Sequence, residues 1–439
     1  MNAALRLLGG LLAVAGGTLG ARPAAPLPLD ADSLTTVREV SGVRIIQRIN
    51  RRNDLVAVRL YLLGGTRQLT DRTAGIEALL LNAAEFGTDH YPGGQSQRAM
   101  ARTGAVEVLE PDADWTVFGF ITLRQDFDSA WVVFADRLTN PTLGTDAVRQ
   151  ARDQMMTTVR RRYADPDERI QIIANLGAFT GHPYALDPEG TEQSLSAITV
   201  RDLTEYVHTQ IVTSRMLLVI VGNVDTAAVS ALVTRTIGAL PHGAYKWTLP
   251  PPLPHQDRSH WLIETRDLPT NYILGYITGP PVSNPDYPAF RVATDLLSSR
   301  LFEKIRVERG LSYAASAPFL ERAVGVGGLY ASTPKPEEVL PIMYDQIRWL
   351  LQEQLDGFVL HQFVTSFRLQ YVARNGSDAD QADLLARAEL YLGDYQKTDR
   401  FLQQLYRIGP DDVRRVADRY MRIIQWAYIG NTERMEGHW

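Results

Sequence analysis

Few side chains in this sequence stand at spacings that can do chemistry, and the most promising are hydrogen-bond donors. Arg306 and Tyr313, in RVERGLSY, lie seven residues apart. A guanidinium offers fixed N–H donors and a phenol one O–H donor, and both suit a peptide carbonyl and the oxyanion that forms from it. A structural alternative is open for the same residues: Arg306 pairs with Glu303 or Glu308, and Tyr313 packs in a strand. Metal-binding groups are scarce. The eight histidines (90, 182, 208, 242, 255, 260, 361 and 438) contain no His-x-x-x-His pair, the spacing that sets two imidazoles on one helical face. Glu77, Glu85 and His90 are near one another in sequence but read as solvated helix-end charges, and His182, in Gly-His-Pro, reads as a loop residue. Arg160, Arg161 and Arg162 form a basic run at a helix end, where Arg favours the negative pole of the dipole, and read as a solvated terminus. Ser298, Ser299 and Ser312 have no histidine nearby in sequence, and neither a Gly-x-Ser-x-Gly elbow nor a phosphate loop occurs.

Composition bounds what these residues can belong to. The chain has 439 residues, 45% hydrophobic and 22% charged, enough for two or three cores of roughly 150 residues each. Net charge is −5 with no long run of either sign, which argues against a nucleic-acid surface. Absence of cysteine excludes disulfides, thiolate zinc sites, a Cys nucleophile and a lipoprotein anchor. The first residues, MNAALRLLGGLLAVAGGTLGARPAA, place Arg6 before an apolar run too short to span a membrane. They read as a bacterial-type secretory signal over residues 1–21, which implies a periplasmic or secreted protein; an uncleaved anchor is the alternative. No later segment is apolar enough to span a bilayer.

Periodicity supplies the positioning elements. Alternating apolar residues predict strands over 40–48, 55–63, 106–109, 115–123 and 216–221. Helices are predicted over 75–88, 96–102, 127–138, 146–162, from 199 onward, and 226–240. Residues 241–258, rich in proline, read as a stiff linker and the boundary between two parts. After it the order repeats: strand 272–278, helix 288–308, strands 311–321 and 324–333, helices 337–355, 358–372, 378–392 and 410–421, and strand 425–429. The reading is an α+β fold of two tandem homologous halves, 30–240 and 259–439, each a mainly antiparallel sheet with helices packed on it.

Four segments carry a resemblance. GIEALLLNAAEFGT (75–88) is similar to the block Gly-x-x-His-x-x-Glu-His, followed by Gly-Thr, of the insulinase-like (pitrilysin) zinc peptidases. Gly75, Gly87 and Thr88 match; the two histidine positions fall on Ala78 and Asn82, and the glutamate on Leu81. GHPYALDPEGTEQSLSAITVRDL (181–203), MLLVIVGNVD (216–225) and NPDYPAFRVATDLLSSRLFEKIRVERGLSYAASA (284–317) also resemble that family, the last most specifically. The resemblance implies the fold of the mitochondrial processing peptidases. It places the family's third zinc ligand, a glutamate, at Thr158. It also implies that Arg306 and Tyr313 bind substrate from a C-terminal half, facing a zinc. Some bacterial members are heterodimers in which one chain carries zinc and the other the Arg/Tyr pair. The chain resembles the second kind: a non-catalytic subunit that binds no cofactor itself, pairs with a homologous zinc-binding subunit and helps bind a peptide. The alternative is a structural or peptide-binding module with no catalytic partner.

Overall fold

Strands rich in Val, Ile, Leu and aromatics assemble into two sheets. The computed structural model describes residues 34–353 and 355–437; the secretory signal read at 1–21 lies outside them. The first sheet contains β1 (Thr35–Val40), β2 (Val43–Arg48), β3 (Leu55–Leu63), β4 (Val106–Pro111), β5 (Trp115–Leu123) and β6 (Met216–Gly222). Their spatial order is β1-β2-β6-β3-β5-β4. The second contains β7 (His260–Thr265), β8 (Asn271–Pro281), β9 (Ala314–Ser316), β10 (Phe319–Glu321), β11 (Val324–Thr333) and β12 (Gln425–Gly430). Their order is β10-β11-β8-β12-β7, with β9 also on β11. In each sheet one pair is parallel, β2 with β6 and β7 with β12, and the other pairs are antiparallel. The run β2-β6-β3-β5-β4 therefore reappears as β7-β12-β8-β11-β10, the duplication expected of homologous halves.

Both faces of each sheet are covered. Along β3, Val56, Val58, Leu60 and Leu62 enter one core, while Tyr61 and Leu63 enter another, as a two-residue period requires. The first core is made with helices of the same half, including Ile76–Glu85 and Phe127–Thr139. The second is closed from the other half: helix Asp378–Leu392 brings Ala382, Leu385, Ala386 and Tyr391 onto Ile46, Tyr61, Val117 and Val219. The exchange is reciprocal. Helix Pro166–Ala178 lays Ile170, Ile173 and Ala174 on Leu274, Tyr276, Ala427 and Ile429 of the second sheet.

Several elements differ from the sequence reading. The strand expected over 40–48 starts at Val43; Ser41–Gly42, where Gly42 has φ 80°, turn the chain back from β1, which was not foreseen and pairs with β2 as a hairpin. Helix Pro166–Ala178 was not foreseen, although Asp165 caps it by accepting from the Asp167 N–H and Pro166 occupies its first turn, a recognisable start. Strand β7 was not foreseen either; it is an edge strand with a mostly exposed pattern. The strand expected over 311–321 is interrupted into β9 and β10. The helix expected over 288–308 is α-helical over Tyr287–Leu301 and then widens to a π-helix over Phe302–Val307.

Candidate functional site

Helix Ile76–Glu85 starts at Gly75, whose φ of 85° is left-handed; a Cβ there would meet the Glu189 carbonyl oxygen at 2.7 Å. Glycine is thus required where the 181–191 loop crosses the helix start. Ala78 and Leu81 are each 1% exposed and belong to the apolar core of the first half. Asn82, one turn beyond Ala78, is half-buried and its amide donates to the Ala78 carbonyl at 2.8 Å. Helix Thr145–Ala164 packs against this helix and buries Val148, Ala151, Met155 and Val159, whereas Thr158 is exposed. A methyl, an isobutyl, an amide committed to its own helix and an outward hydroxyl do not make a zinc site, which needs imidazole or carboxylate donors on converging faces. Among the described residues no group of three or more His, Asp or Glu is placed to hold a metal ion.

The charges near this helix serve three separate structural purposes. Glu77 is buried rather than solvated, a correction to the sequence reading. Its Oε2 lies 3.0 Å from Arg215 Nη2 and accepts from the Tyr206 hydroxyl at 2.9 Å. Arg215 also donates to the Leu63 and Gln210 carbonyls; burial, with Glu77 beside it, pushes the Tyr206 phenol up. His90 is likewise not a free helix-end charge, because its Nδ1 lies 2.7 Å from Asp136 Oδ1. Asp136 also accepts from Thr88 and Asn140. Burial alone would raise the Asp136 carboxyl, but these donors outweigh it and hold it below the usual range; the Asp136 hydrogen bond and charge in turn raise His90. Glu85 accepts from the Gln97 side-chain amide at 3.4 Å, and burial raises its carboxyl.

His182 is 5% exposed. Its Nδ1 accepts from the Tyr184 N–H, which leaves Nε2–H to donate to the Pro251 carbonyl at 3.1 Å. It ties the linker to the first half and is no ligand. The run Arg160–Arg162 is ion-paired rather than merely solvated: Arg160 with Glu192, Arg161 with Glu168, and Arg162 with Asp187 and Glu189.

In the second half the π-helical turn rotates the chain so that Phe302, Arg306 and Val307 come to the surface. Arg306 is half-buried, with its guanidinium 4.4 Å from the Tyr313 ring centre and 5.1 Å from that of Phe302. Such stacking holds a cation in place without neutralising it. Tyr313 is 81% exposed, and Val307 and Phe302 are exposed beside it. The structural alternative for this pair does not form. Glu308 is taken by Lys304 at 2.5 Å, Arg306 has no carboxylate within 4.0 Å among the described residues, and Tyr313 precedes β9 instead of lying in it. Leu311 and Ser312 are buried, and the Ser312 hydroxyl bonds to the Ser332 carbonyl at 2.7 Å, which fixes the turn that projects Tyr313 outward. The structure thus brings Arg306 and Tyr313 together. Phe302 and Val307 are additions to the site; Phe302 lies one turn before Arg306, a spacing readable in the sequence.

Comparison with known proteins agrees with this architecture. Residues 44–183 match the family model described as insulinase (peptidase family M16), and residues 197–360 that described as the peptidase M16 inactive domain. Human mitochondrial cytochrome b-c1 complex subunit 1 is 24% identical over 241 residues, 55% of this chain and 50% of that one, so the match spans about half the length of that relative. The mitochondrial-processing peptidase subunit beta of Lentinula edodes is 25% identical over 286 residues, 60% of each chain. The crystal structure of a protease from Helicobacter pylori shares the fold, with a TM-score of 0.83 at 18% identity, covering 90% of this chain and 99% of that one. The two family models between them cover most of both halves, and the chain belongs to the insulinase-like M16 peptidase family.

Proposed function

We propose that this chain is the non-catalytic subunit of an exported zinc metallopeptidase. It pairs with a homologous subunit carrying His-x-x-Glu-His, closes half of a chamber with it, and presents Arg306 and Tyr313 to the bound peptide. The observation that carries this reading is the Arg306–Tyr313 pair itself: a cation without a carboxylate partner among the described residues, stacked on a tyrosine that is 81% exposed. Both groups are donors, and both are held ready for an acceptor outside this chain. A scissile carbonyl, which gains negative charge as it is attacked, is such an acceptor. Zinc belongs to the partner in this reading, since positions 78, 81, 82 and 158 offer no donor set for it. Export rests on the leader read in the sequence.

The test is co-expression with a His-x-x-Glu-His homologue encoded beside this chain, followed by size exclusion and a peptide-cleavage assay. The expected result is a stable pair that cleaves peptide in a chelator-sensitive way, with no cleavage by this chain alone. Chelator-sensitive cleavage traced to the isolated chain contradicts the proposal. A second reading, a structural or peptide-binding module with no catalytic partner, is favoured by the likeness to a cytochrome b-c1 complex subunit; failure to form a stable pair with the His-x-x-Glu-His homologue supports it.

A further inference from the structure

A cavity of about 80 Å³ lies beside helix Asp378–Leu392, the helix that leaves the second half to cover the first sheet. Tyr287, Tyr371, Leu384 and Phe401 contribute its apolar wall. Four cations also line it: Arg322, Arg387, Lys397 and Arg400. The single lining carboxylate, Glu321, lies 3.3 Å from Arg291 and is engaged there. None of the four cations has a carboxylate within 4.0 Å among the described residues. Arg387 donates to the Glu321 carbonyl, and Lys397 to the Leu392 carbonyl at 2.7 Å. The Arg322 guanidinium sits over the rings of Tyr184, at 4.9 Å, and Phe179, at 5.1 Å, neither of which lines this cavity, and its Nη1 is buried without a hydrogen-bond partner among the described residues.

Four cations share this cavity with one carboxylate that Arg291 already engages; burial disfavours the Arg387 charge and the fields of Glu321, Asp112 and Asp383 outweigh it, but an excess of positive charge remains, and a buried donor left unpaired adds to the cost. An anion relieves both. The apolar wall selects an anion with a hydrocarbon part, and Arg forks match a carboxylate. The volume admits about six water-sized groups, which suits a branched side chain of leucine or valine size better than an indole.

We propose that this cavity binds a small carboxylate bearing a branched apolar group. A peptide's C-terminal leucine and a short branched fatty acid share that chemistry. An occupant bridges Arg387 on the crossing helix to Arg322 and Arg400 on its neighbours, and so braces the helix that ties the two halves together. No residue of the Arg306–Tyr313 site lines the cavity, and the proposal is independent of that site's role.

The test is isothermal titration calorimetry of the full mature chain with N-acetyl-leucine, N-acetyl-leucinamide and 4-methylpentanoate. N-acetyl-leucine should bind at least about tenfold more tightly than its amide, the loss expected when a charge-assisted pair is removed. Arg400→Gln and Lys397→Gln lie at the cavity rim, and at least one should weaken the acid by about tenfold while leaving the melting temperature unchanged. Equal binding of 4-methylpentanoate supports the site with a free acid as its occupant; a clear preference for N-acetyl-leucine supports it with a peptide terminus. Equal affinity for acid and amide, no binding of either up to about 10 mM, or indifference of the acid to both substitutions overturns the proposal.

Discussion

Helix Ile76–Glu85 in the first half and helix Tyr287–Leu301 in the second hold corresponding places, each following the strand at the centre of its sheet. Their surroundings differ sharply. The first is short and almost wholly buried; of the positions the resemblance reads as ligands, Ala78 and Leu81 face a packed core and Asn82 is half-buried, its amide bonded to its own helix. The second runs on into a π-helical turn that delivers Phe302, Arg306 and Val307 to solvent beside Tyr313. The contrast shows a duplicated scaffold that keeps its shape in both halves while one packs its helix inward and the other brings polar and aromatic groups to the surface. Burial of Ala78 and Leu81 contributes packing energy that charged ligands without a metal could not. Tyr313, largely exposed, and Arg306, half-buried, contribute little to packing, so their geometry needs another explanation, and the proposed recognition of a partner's substrate would supply one.

If the first half is held by buried electrostatics, the largest stability effects should arise there. Glu77→Ala leaves Arg215 as an uncompensated cation, both side chains being 5% exposed or less, and should cost about 3–5 kcal/mol in denaturant unfolding. Glu77→Ala with Arg215→Met should cost less than the sum of the two single changes; strict additivity breaks the account of a coupled pair. Next in size is the crossing helix. Leu385→Ala empties a fully buried site between the halves and should cost about 2–5 kcal/mol. A cost below about 0.5 kcal/mol, typical of surface positions, means that the helix does not seal the first sheet.

A third effect is smaller and depends on pH. Asp114 is 2% exposed at the junction of the halves and accepts from the Tyr184 and Tyr391 hydroxyls, each at 2.7 Å. Burial raises its carboxyl above the usual range despite these donors. The folded state therefore binds this proton more readily than the unfolded state. Between the ordinary carboxylate range and the raised value, stability falls as pH rises. Asp114→Asn should remove that component, so the difference in unfolding free energy between wild type and variant should shrink or reverse as pH rises from about 4 to 7. A pH-independent difference shows that Asp114 is not raised. Smallest of all, Glu303→Ala should change stability by less than about 0.5 kcal/mol, because Glu303 is exposed and forms no ion pair with Arg306. A loss comparable to that of Arg306→Ala restores the structural reading of the pair.

Much of this was legible in the sequence, for reasons that differ by element. Strands β5 and β11 and helix Asp378–Leu392 carry a clean period bounded by turn residues, and their predicted limits coincide with those observed. The Gly75–Thr88 block was readable because glycine and threonine at fixed offsets survive where the ligands do not. What could not be read depends on distant partners. Glu77 looked solvated because the residue that buries it, Arg215, is 138 positions away. The exchange of helices Pro166–Ala178 and Asp378–Leu392 is invisible to periodicity, which reports that a face is apolar but not which sheet covers it. The π-helical turn has no local signature, yet it brings Phe302 and Val307 to the surface beside Arg306.

The most direct measurement is the turnover of the reconstituted pair with Tyr313→Phe in this chain, a change that removes one donor and almost no volume. The value of kcat should fall by about 10- to 1000-fold, as for loss of one oxyanion-type donor, while assembly and melting temperature stay the same. Arg306→Lys should be similarly impaired, since an ammonium does not reproduce the planar fork. A kcat within about twofold of wild type for Tyr313→Phe, far short of a lost oxyanion donor, would contradict the claim that this subunit reaches the reacting carbonyl.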